Sequence, residues 1–559
     1  MFKSRPHAQV LIVGGGINGA GTFRDLALQG VDVALVERGD FCSGASGASS
    51  HMIHGGIRYL ENGEFRLVAE SVHERNDLLK TAPHYVKPLE TTIPIFTTFS
   101  GMVAAPLRLI THRQGKRTER GAVLIKLGLS IYDAFSRRRG AVPRHKFVRR
   151  TQALREMPLL NSTIRYAATY FDASVHNPER LTLDIIRDGE AANLHARASN
   201  YLSVASSAPG GVELRDELTG ETFNFTADVV LNMTGASVDE TNAAMGAASR
   251  YMGGTKGSHI VLDHPGLLEA CGGREVFFEH TDGRIVLIYP MGDRVLVGTT
   301  DIDAGMEGAT VCTDAEVDYF LELIAHVFPT VPVDRESIVY TFSGVRPLPR
   351  HDDVDPGFVS RDYRLERRDE QTPAGTTTIS VVGGKWTTFR ALGERVTNEV
   401  LALLQRTRRV STGGLPIGGG KDYPATVEAL ESWVADNSGT EIPADRARIL
   451  FERYGTRAAE VIACLRSQQD HVFHSTRELS TAEVAYMAGH EQVVHLVDVL
   501  IRRTALAFRG LVSSELLEEL AAALAGPLNW DNVRKEYEIE HAQRILSERH
   551  GVLIQSLIA

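Results

Sequence analysis

The chain has 559 residues with 43% hydrophobic and 23% charged content, the balance of a folded globular protein, which excludes disordered and fibrous classes. At roughly 150 residues per domain the length allows several domains. Sixty Lys/Arg against 70 Asp/Glu give a net charge of −10, which argues against a generic nucleic-acid binder.

In chain order, the apolar run Gln9–Val13 reads as a strand, Gly14–Gly21 as a glycine loop, Thr22–Gln29 as a helix and Asp32–Glu37 as a second strand. Within this βαβ opening, Gly14-x-Gly16-x-x-Gly19 sits where a dinucleotide site needs it. The first glycine permits the turn, the second lets backbone N–H groups approach a pyrophosphate, and the third allows close helix packing. Glu37 follows 18 residues beyond Gly19, placed to accept bonds from a ribose 2′-hydroxyl and to repel a 2′-phosphate, which argues against NADP. Phe41–Gly56 is built from Ser, Ala and Gly, and it leads through Met52-Ile53-His54 into the helix-like Ile57–Leu60.

Next comes a basic island in an acidic protein. Ala104–Arg150 carries 13 Lys/Arg and two Asp/Glu. Met102–Ile110 and Ala122–Phe135 are apolar runs of helical period, flanked by Arg113, Lys116, Arg117, Arg120, Arg137 to Arg139 and Arg144 to Arg150. A basic amphipathic surface of this kind suits anionic lipid headgroups. Ala227–Leu231 is a buried strand leading to Thr234-Gly235, and Arg284–Pro290 with Arg294–Thr299 form a hairpin through Met291-Gly292-Asp293. The strand Thr378–Val382 meets Gly383-Gly384-Lys385, Thr412–Pro424 reads as a linker, and beyond it lie amphipathic helical runs, Glu483–Arg503 and Glu515–Leu524. That last region reads as a helical cap with no chemistry of its own. Several small-residue loops at strand ends suit a long cofactor crossing the sheet, FAD rather than a nicotinamide. Cys42, Cys271, Cys312 and Cys464 form no C-x-x-C pair, so no metal site or disulfide framework is expected and a reducing compartment fits. No apolar stretch approaches the roughly 18 residues of a membrane span, so membrane association would be peripheral.

These residues resemble the FAD-dependent glycerol-3-phosphate dehydrogenases of aerobic, respiratory type over nearly the whole chain. The resemblance rests on GGGINGAG at Gly14–Gly21, SSHMIHGGIRYLE at Ser49–Glu61, EFRLVAE at Glu64–Glu70, TKGSHIV at Thr255–Val261, GTTD at Gly298–Asp301, SGVRPL at Ser343–Leu348, SRDY at Ser360–Tyr363 and GGKWTTFR at Gly383–Arg390. In the helical region Glu483, Tyr486, Glu491, Asp498, Leu500, Arg502, Arg503 and Thr504 follow the family pattern. The chain departs from it at His51, where Lys is usual, at Ala45, where Thr is common, and at Ala236-Ser237, where Pro-Trp usually stands.

The resemblance implies an α/β fold: a Rossmann-like FAD-binding domain over residues 1–95, 150–250 and 335–410, interrupted by a basic amphipathic insertion at 96–149 and by an antiparallel-sheet substrate domain at 251–334, with a C-terminal all-α cap over 411–559. It implies hydride transfer from C2 of sn-glycerol 3-phosphate to N5 of FAD, yielding dihydroxyacetone phosphate. Electrons would pass to a membrane quinone or to oxygen. The location would be cytoplasmic, at the inner face of the cell membrane, with a homodimer as a possible assembly. Arg58, Arg346 and Arg361 would bind the phosphate, aided by Tyr59. His54, and after it His259, are the candidate bases. Lys385 would place positive charge beside the flavin. Cofactor contacts are expected from Gly14, Gly16, Asn18, Gly19, Glu37, Ser46, Ser50, Met52, His54, Gly55, Gly235, Gly384, Lys385 and Thr387. The alternatives are another polyol phosphate such as a tetritol phosphate, an amine or amino-acid oxidase, and a non-catalytic flavin sensor.

Overall fold

A computed structural model describes residues 2–60, 63–97, 122–136, 142–279, 285–303, 310–350, 362–368 and 376–554. Two sheets and a helical domain make up these residues. The core of the first sheet runs Arg364–Arg368, Thr377–Val382, Thr222–Asn232, His7–Val13, Val33–Val36 and Arg197–Ser199 in spatial order. All neighbours are parallel except the first pair, and a hairpin of Leu202–Ala208 and Gly211–Asp216 extends it. The central strands are buried on both faces and accordingly read as continuous apolar runs, VLIV at Val10–Val13 and VALV at Val33–Val36.

The first helix spans Ile17–Leu28 and so begins five residues before the expected Thr22. The glycines belong inside it because of packing. A side chain at Gly19 would put its Cβ 1.9 Å from Gly14 O, and one at Gly21 would meet the Phe389 ring at 2.7 Å. The helix can therefore lie tightly against its strand and against the helices Pro178–Ala192 and Phe389–Leu403. Gly14 itself takes φ +115°, a conformation closed to most other residues.

The second sheet has ten strands, ordered Ile302–Asp303, Met252–Leu262, Arg294–Gly298, Ile285–Met291, Glu275–Glu279, Val86–Ile95, Tyr166–Val175 and Met52–Ile53, with Ile338–Pro349 and Lys146–Arg149 alongside. The hairpin around Gly292 forms as expected. The domain boundaries need correction. Val86–Ile95, Tyr166–Val175 and Ile338–Pro349, assigned from sequence to the nucleotide-binding domain, pair into this second sheet. Buried strands of both sheets share one composition, so only pairing reveals the membership of each.

The C-terminal region is helical, but Glu483–Arg503 is not one helix. It runs Thr481–His490, breaks, and resumes as a short turn at Leu496–Asp498 continued by a π turn at Val499–Arg503. Gln492 sits at φ +49° in the break, and the carbonyl of Glu491 accepts from Arg503 instead of continuing the helix. The expected linker is also no free tether. A Cβ on Gly419 would lie 1.9 Å from Tyr454 O, and one on Gly420 would lie 2.1 Å from Thr81 O. The helical domain shares one apolar core with one face of the second sheet, through Leu287, Tyr289, Tyr340 and Phe342. Ion pairs join it to the helix Pro178–Ala192: Arg180 to Glu491 at 2.8 Å, and Arg457 to Asp184 and Asp188 at 2.5 and 2.8 Å.

Candidate active site

A cavity of about 310 Å³ opens between the two sheets. One wall comes from the first helix and its neighbours, with Ile17, Asn18, Ser46, Gly384, Lys385, Trp386 and Thr387. The other comes from the second sheet and the segment leading into it, with Ser50, Met52, His54, Tyr59, Asp172, His259, Thr299, Asp301 and Arg346. Residues scattered between positions 17 and 387 thus meet at the carboxyl ends of the parallel strands, where doubly wound sheets bind ligands.

On the nucleotide side, Gly15 N and Gly39 N donate to the two oxygens of Glu37 at 2.8 and 3.0 Å, fixing its carboxylate at the end of the second strand. Burial raises the Glu37 pKa, against the opposing pull of those two bonds. Ile17 N donates to Ser46 Oγ at 3.1 Å, so the small-residue segment is pinned to the helix N-terminus, whose partial positive charge suits a pyrophosphate. Gly384, at φ +115°, leaves room for Asn18: a Cβ there would lie 2.9 Å from Asn18 Nδ2. Asn18 Oδ1 is buried at the cavity with no hydrogen-bond partner among the described residues, an acceptor for a ligand donor. Tight glycines, a helix N-terminus and an orphaned polar atom together fit a dinucleotide cofactor. Gly235, at φ +61°, lies beside Pro347 but does not itself line the cavity.

On the substrate side, Lys385 Nζ donates to His54 O at 2.6 Å and to Ser71 Oγ at 3.2 Å, and lies 5.1 Å from the centre of the Tyr59 ring. Gly55 N is held by Asp172 Oδ1 at 3.1 Å and by the Tyr132 hydroxyl at 3.0 Å. Arg75 closes that buried network with a 2.8 Å bond to Asp172. Tyr132 stands on the helix Ala122–Ser136, so the basic insertion is tied to Asp172 in the cavity wall. Arg346 Nη1 donates to Thr300 O at 3.1 Å and Asp301 Oδ1 at 3.0 Å, and its Nη2 donates to Thr299 Oγ1 at 2.7 Å.

The two candidate bases differ in setting. His259 is buried, its Nε2 lies 2.9 Å from Ser50 Oγ, and its ring stacks on Phe342 at 4.6 Å. Burial first, then the nearby Arg346 charge, hold its pKa well below the usual imidazole value. It is therefore neutral at working pH and weakly basic. His54 is only half-buried and lies in the cavity wall with its carbonyl tied to Lys385. His51, the departure from the family pattern, packs against Phe508 at 5.4 Å and Phe342 at 5.8 Å, and burial pushes its pKa down to about 3. The side chain of Arg58, and Arg361 entirely, lie outside the described residues.

The sequence reading did not single out Asp172, Arg75 and Tyr132, nor the anchoring role of Thr299–Asp301. Their partners lie 97 residues away for Arg75 and Asp172, and 46 away for Arg346 and Thr300. No local pattern announces such pairs, although Thr299–Asp301 belongs to the GTTD motif.

Comparison with known proteins places this arrangement. Residues 9–369 match the FAD dependent oxidoreductase family, and residues 410–535 match the C-terminal domain of alpha-glycerophosphate oxidase. The chain is 33% identical over 522 residues to a glycerol-3-phosphate dehydrogenase of Synechocystis sp., covering 89% of this chain and 88% of that protein. It is 31% identical over 500 residues to the D-erythritol 1-phosphate dehydrogenase of Brucella abortus, covering 89% and 93%. The solved glycerol-3-phosphate dehydrogenase of Bacillus halodurans complexed with FAD superposes with a TM-score of 0.71 at 23% identity, over 97% of this chain and 95% of that one, which shows a shared fold.

Proposed function

This chain belongs to the FAD-dependent glycerol-3-phosphate dehydrogenases, and from that premise we propose that it oxidises sn-glycerol 3-phosphate to dihydroxyacetone phosphate and passes the electrons to a membrane quinone. FAD, when bound, supplies the acceptor for the hydride leaving C2. The observation that carries the substrate reading is Arg346, a guanidinium in the cavity wall held in one orientation by three acceptors on consecutive residues. A planar fork so fixed matches two phosphate oxygens, and Tyr59 in the same wall offers a hydroxyl. His54 takes the C2 hydroxyl proton, while neutral His259 acts through its bond to Ser50. Lys385 fixes the His54 backbone and keeps a positive charge in the wall.

Anaerobic addition of glycerol 3-phosphate to the FAD-loaded protein is expected to bleach the oxidised-flavin absorbance. If that substrate does nothing while D-erythritol 1-phosphate bleaches it, a second reading holds, the one that the 31% identity to the erythritol-phosphate enzyme favours. Bleaching by neither compound overturns both.

The membrane part of the proposal rests on the insertion. On the helix Ala122–Ser136, Val123 and Leu127 are 46% and 59% exposed and Lys126 is exposed, and Arg144, Lys146, Arg149 and Arg150 are exposed nearby in sequence. The other runs of this island, Met102–Ile110, Arg113–Arg120 and Arg137–Arg139, lie outside the described residues. Among the described residues no helix is long and apolar enough to cross a membrane. Each well-placed cation near an anionic surface contributes roughly 1 kcal/mol, screened by salt. The protein is therefore expected to sediment with anionic vesicles at low salt and to be released at high salt. Binding to neutral vesicles alone, or none to either, contradicts this.

A further inference from the structure

Thr300, one of the residues that hold Arg346, is itself bonded to a second carboxylate, Glu316. The three acceptors of Arg346 lie on Thr299, Thr300 and Asp301, and this tripeptide is itself pinned from behind. The Thr300 side chain is buried; its hydroxyl donates to Glu316 Oε1 at 2.8 Å and accepts from Ser258 N at 2.9 Å. Glu316 lies in the first turn of the helix Asp314–Val327 and is 3% exposed.

The two oxygens of that carboxylate divide their work. Oε2 accepts Thr313 N and Thr313 Oγ1, both at 2.9 Å, and Lys256 Nζ at 2.6 Å. With the return bond from Glu316 N to Thr313 Oγ1, this forms a capping box that starts the helix. Oε1 takes no part in the cap. It accepts Thr300 Oγ1 and Ser258 Oγ, the latter at 2.7 Å. Ser258 Oγ also lies 2.7 Å from Ser343 Oγ, three residues before Arg346 on the same strand. One oxygen thus builds the helix, and the other ties down both segments that carry the guanidinium and its acceptors.

We propose that Glu316 is a positioning residue for the anionic end of the substrate, acting through the Thr300 hydroxyl to hold Arg346 in its binding orientation. This rests on the reading of Arg346 as the phosphate-binding cation. A buried carboxylate with five donors is a stiff anchor, and a binding group must be held to about half an ångström to keep its affinity. An amide at position 316 would retain one acceptor oxygen and could not serve both sets of donors.

The experiment compares Glu316→Gln, Thr300→Val, Thr300→Ser, Thr313→Ala and Arg346→Ala in the FAD-loaded full chain. Steady-state kinetics with glycerol 3-phosphate are read together with calorimetric binding of inorganic phosphate. Thr300→Val is expected to raise KM and weaken phosphate binding by about tenfold, the cost of the hydroxyl's two lost hydrogen bonds and a shifted cation, with a much smaller change in kcat. Thr300→Ser restores the hydroxyl and should recover most of that loss. Glu316→Gln should follow Thr300→Val, whereas Thr313→Ala, which removes a cap hydroxyl alone, should lower thermal stability and leave KM near wild type. Arg346→Ala combined with Thr300→Val should be no worse in KM than Arg346→Ala alone. If Arg346→Ala raises KM but Thr300→Val does not, Glu316 is a helix cap only and the proposal falls while the reading of Arg346 stands. If Arg346→Ala leaves KM and phosphate binding unchanged, the reading itself falls. Should Glu316→Gln fail to fold, the Val and Ser pair at position 300 still decides the matter.

Discussion

Replacing Arg346 by Ala is expected to raise the KM for glycerol 3-phosphate by about 100-fold or more, with FAD still bound. Hydrogen bonds to charged partners contribute roughly 1.5–3 kcal/mol each, so two bonds from one guanidinium to a phosphate cover that range. A further effect has the same sign. Asp301, 3.0 Å from the guanidinium, would lose that cation and leave a carboxylate facing an anionic ligand. The residues expected to hold the cofactor, among them Gly14 to Ser46 and Gly384 to Thr387, do not include Arg346, so flavin content should stay at wild-type level. Kinetics with a dye acceptor, read beside the flavin absorbance of the purified variant, check both halves. Wild-type KM, or loss of FAD, would contradict the assignment.

The second large effect concerns stability. Asp40 is 1% exposed and joins the nucleotide-binding sheet to the helical domain. Its carboxylate accepts Arg502 Nε at 2.5 Å, Arg503 Nη1 and Nη2 at 2.6 and 2.9 Å, and Asn200 Nδ2 at 2.8 Å. Asp40→Asn leaves the buried Arg503 guanidinium without its carboxylate partner and Arg502 with Asp498 alone, and breaking a buried pair in this way typically costs about 3–5 kcal/mol. Phe41 and Ser46 follow directly in sequence, so weaker FAD retention should accompany the lower thermal midpoint. The pH dependence has a definite sign. Burial alone would raise the Asp40 pKa, but Arg503 and Arg502 overcome it and hold the carboxyl well below its usual value. Its contribution is therefore fully present above the unfolded-state value of about 3.9 and is lost as pH falls toward the folded value. The gap between wild type and Asp40→Asn should be constant near neutrality and shrink only in acid. A gap that vanished around pH 6–7 would assign the stabilisation to another group.

The parts of this molecule legible in its sequence are those whose physics is local. Gly14, Gly16 and Gly19 announce a strand-to-helix turn because each constraint acts within a few residues, and the hairpin at Gly292 is legible for the same reason. The cavity's glycine-flanked His54 and Lys385 came from motifs around them, and both line it. Illegible were the pairings that span the chain. Arg180, Asp184, Arg187 and Asp188 lie on one helix and look like a solvated face, yet Arg180 and Asp184 are each 1% exposed. They are inside because residues near 457 and 491 arrive to meet them, and no window of the sequence contains both partners. Glu316 was hidden for a different reason: it reaches Arg346 only through the Thr300 hydroxyl.

Those pairings bear on how the protein can be made. While a ribosome is still short of residue 457, the helix Pro178–Ala192 carries Asp184 with no Arg457 to pair it, and Arg180 waits longer still for Glu491. A nucleotide-binding half released at that stage would have to bury these charges uncompensated or stay open, and an uncompensated buried charge is costly. The cofactor half is therefore expected to mature only after residues near 491 have been synthesised, so segments 273 to 311 residues downstream complete the surroundings of the helix Pro178–Ala192.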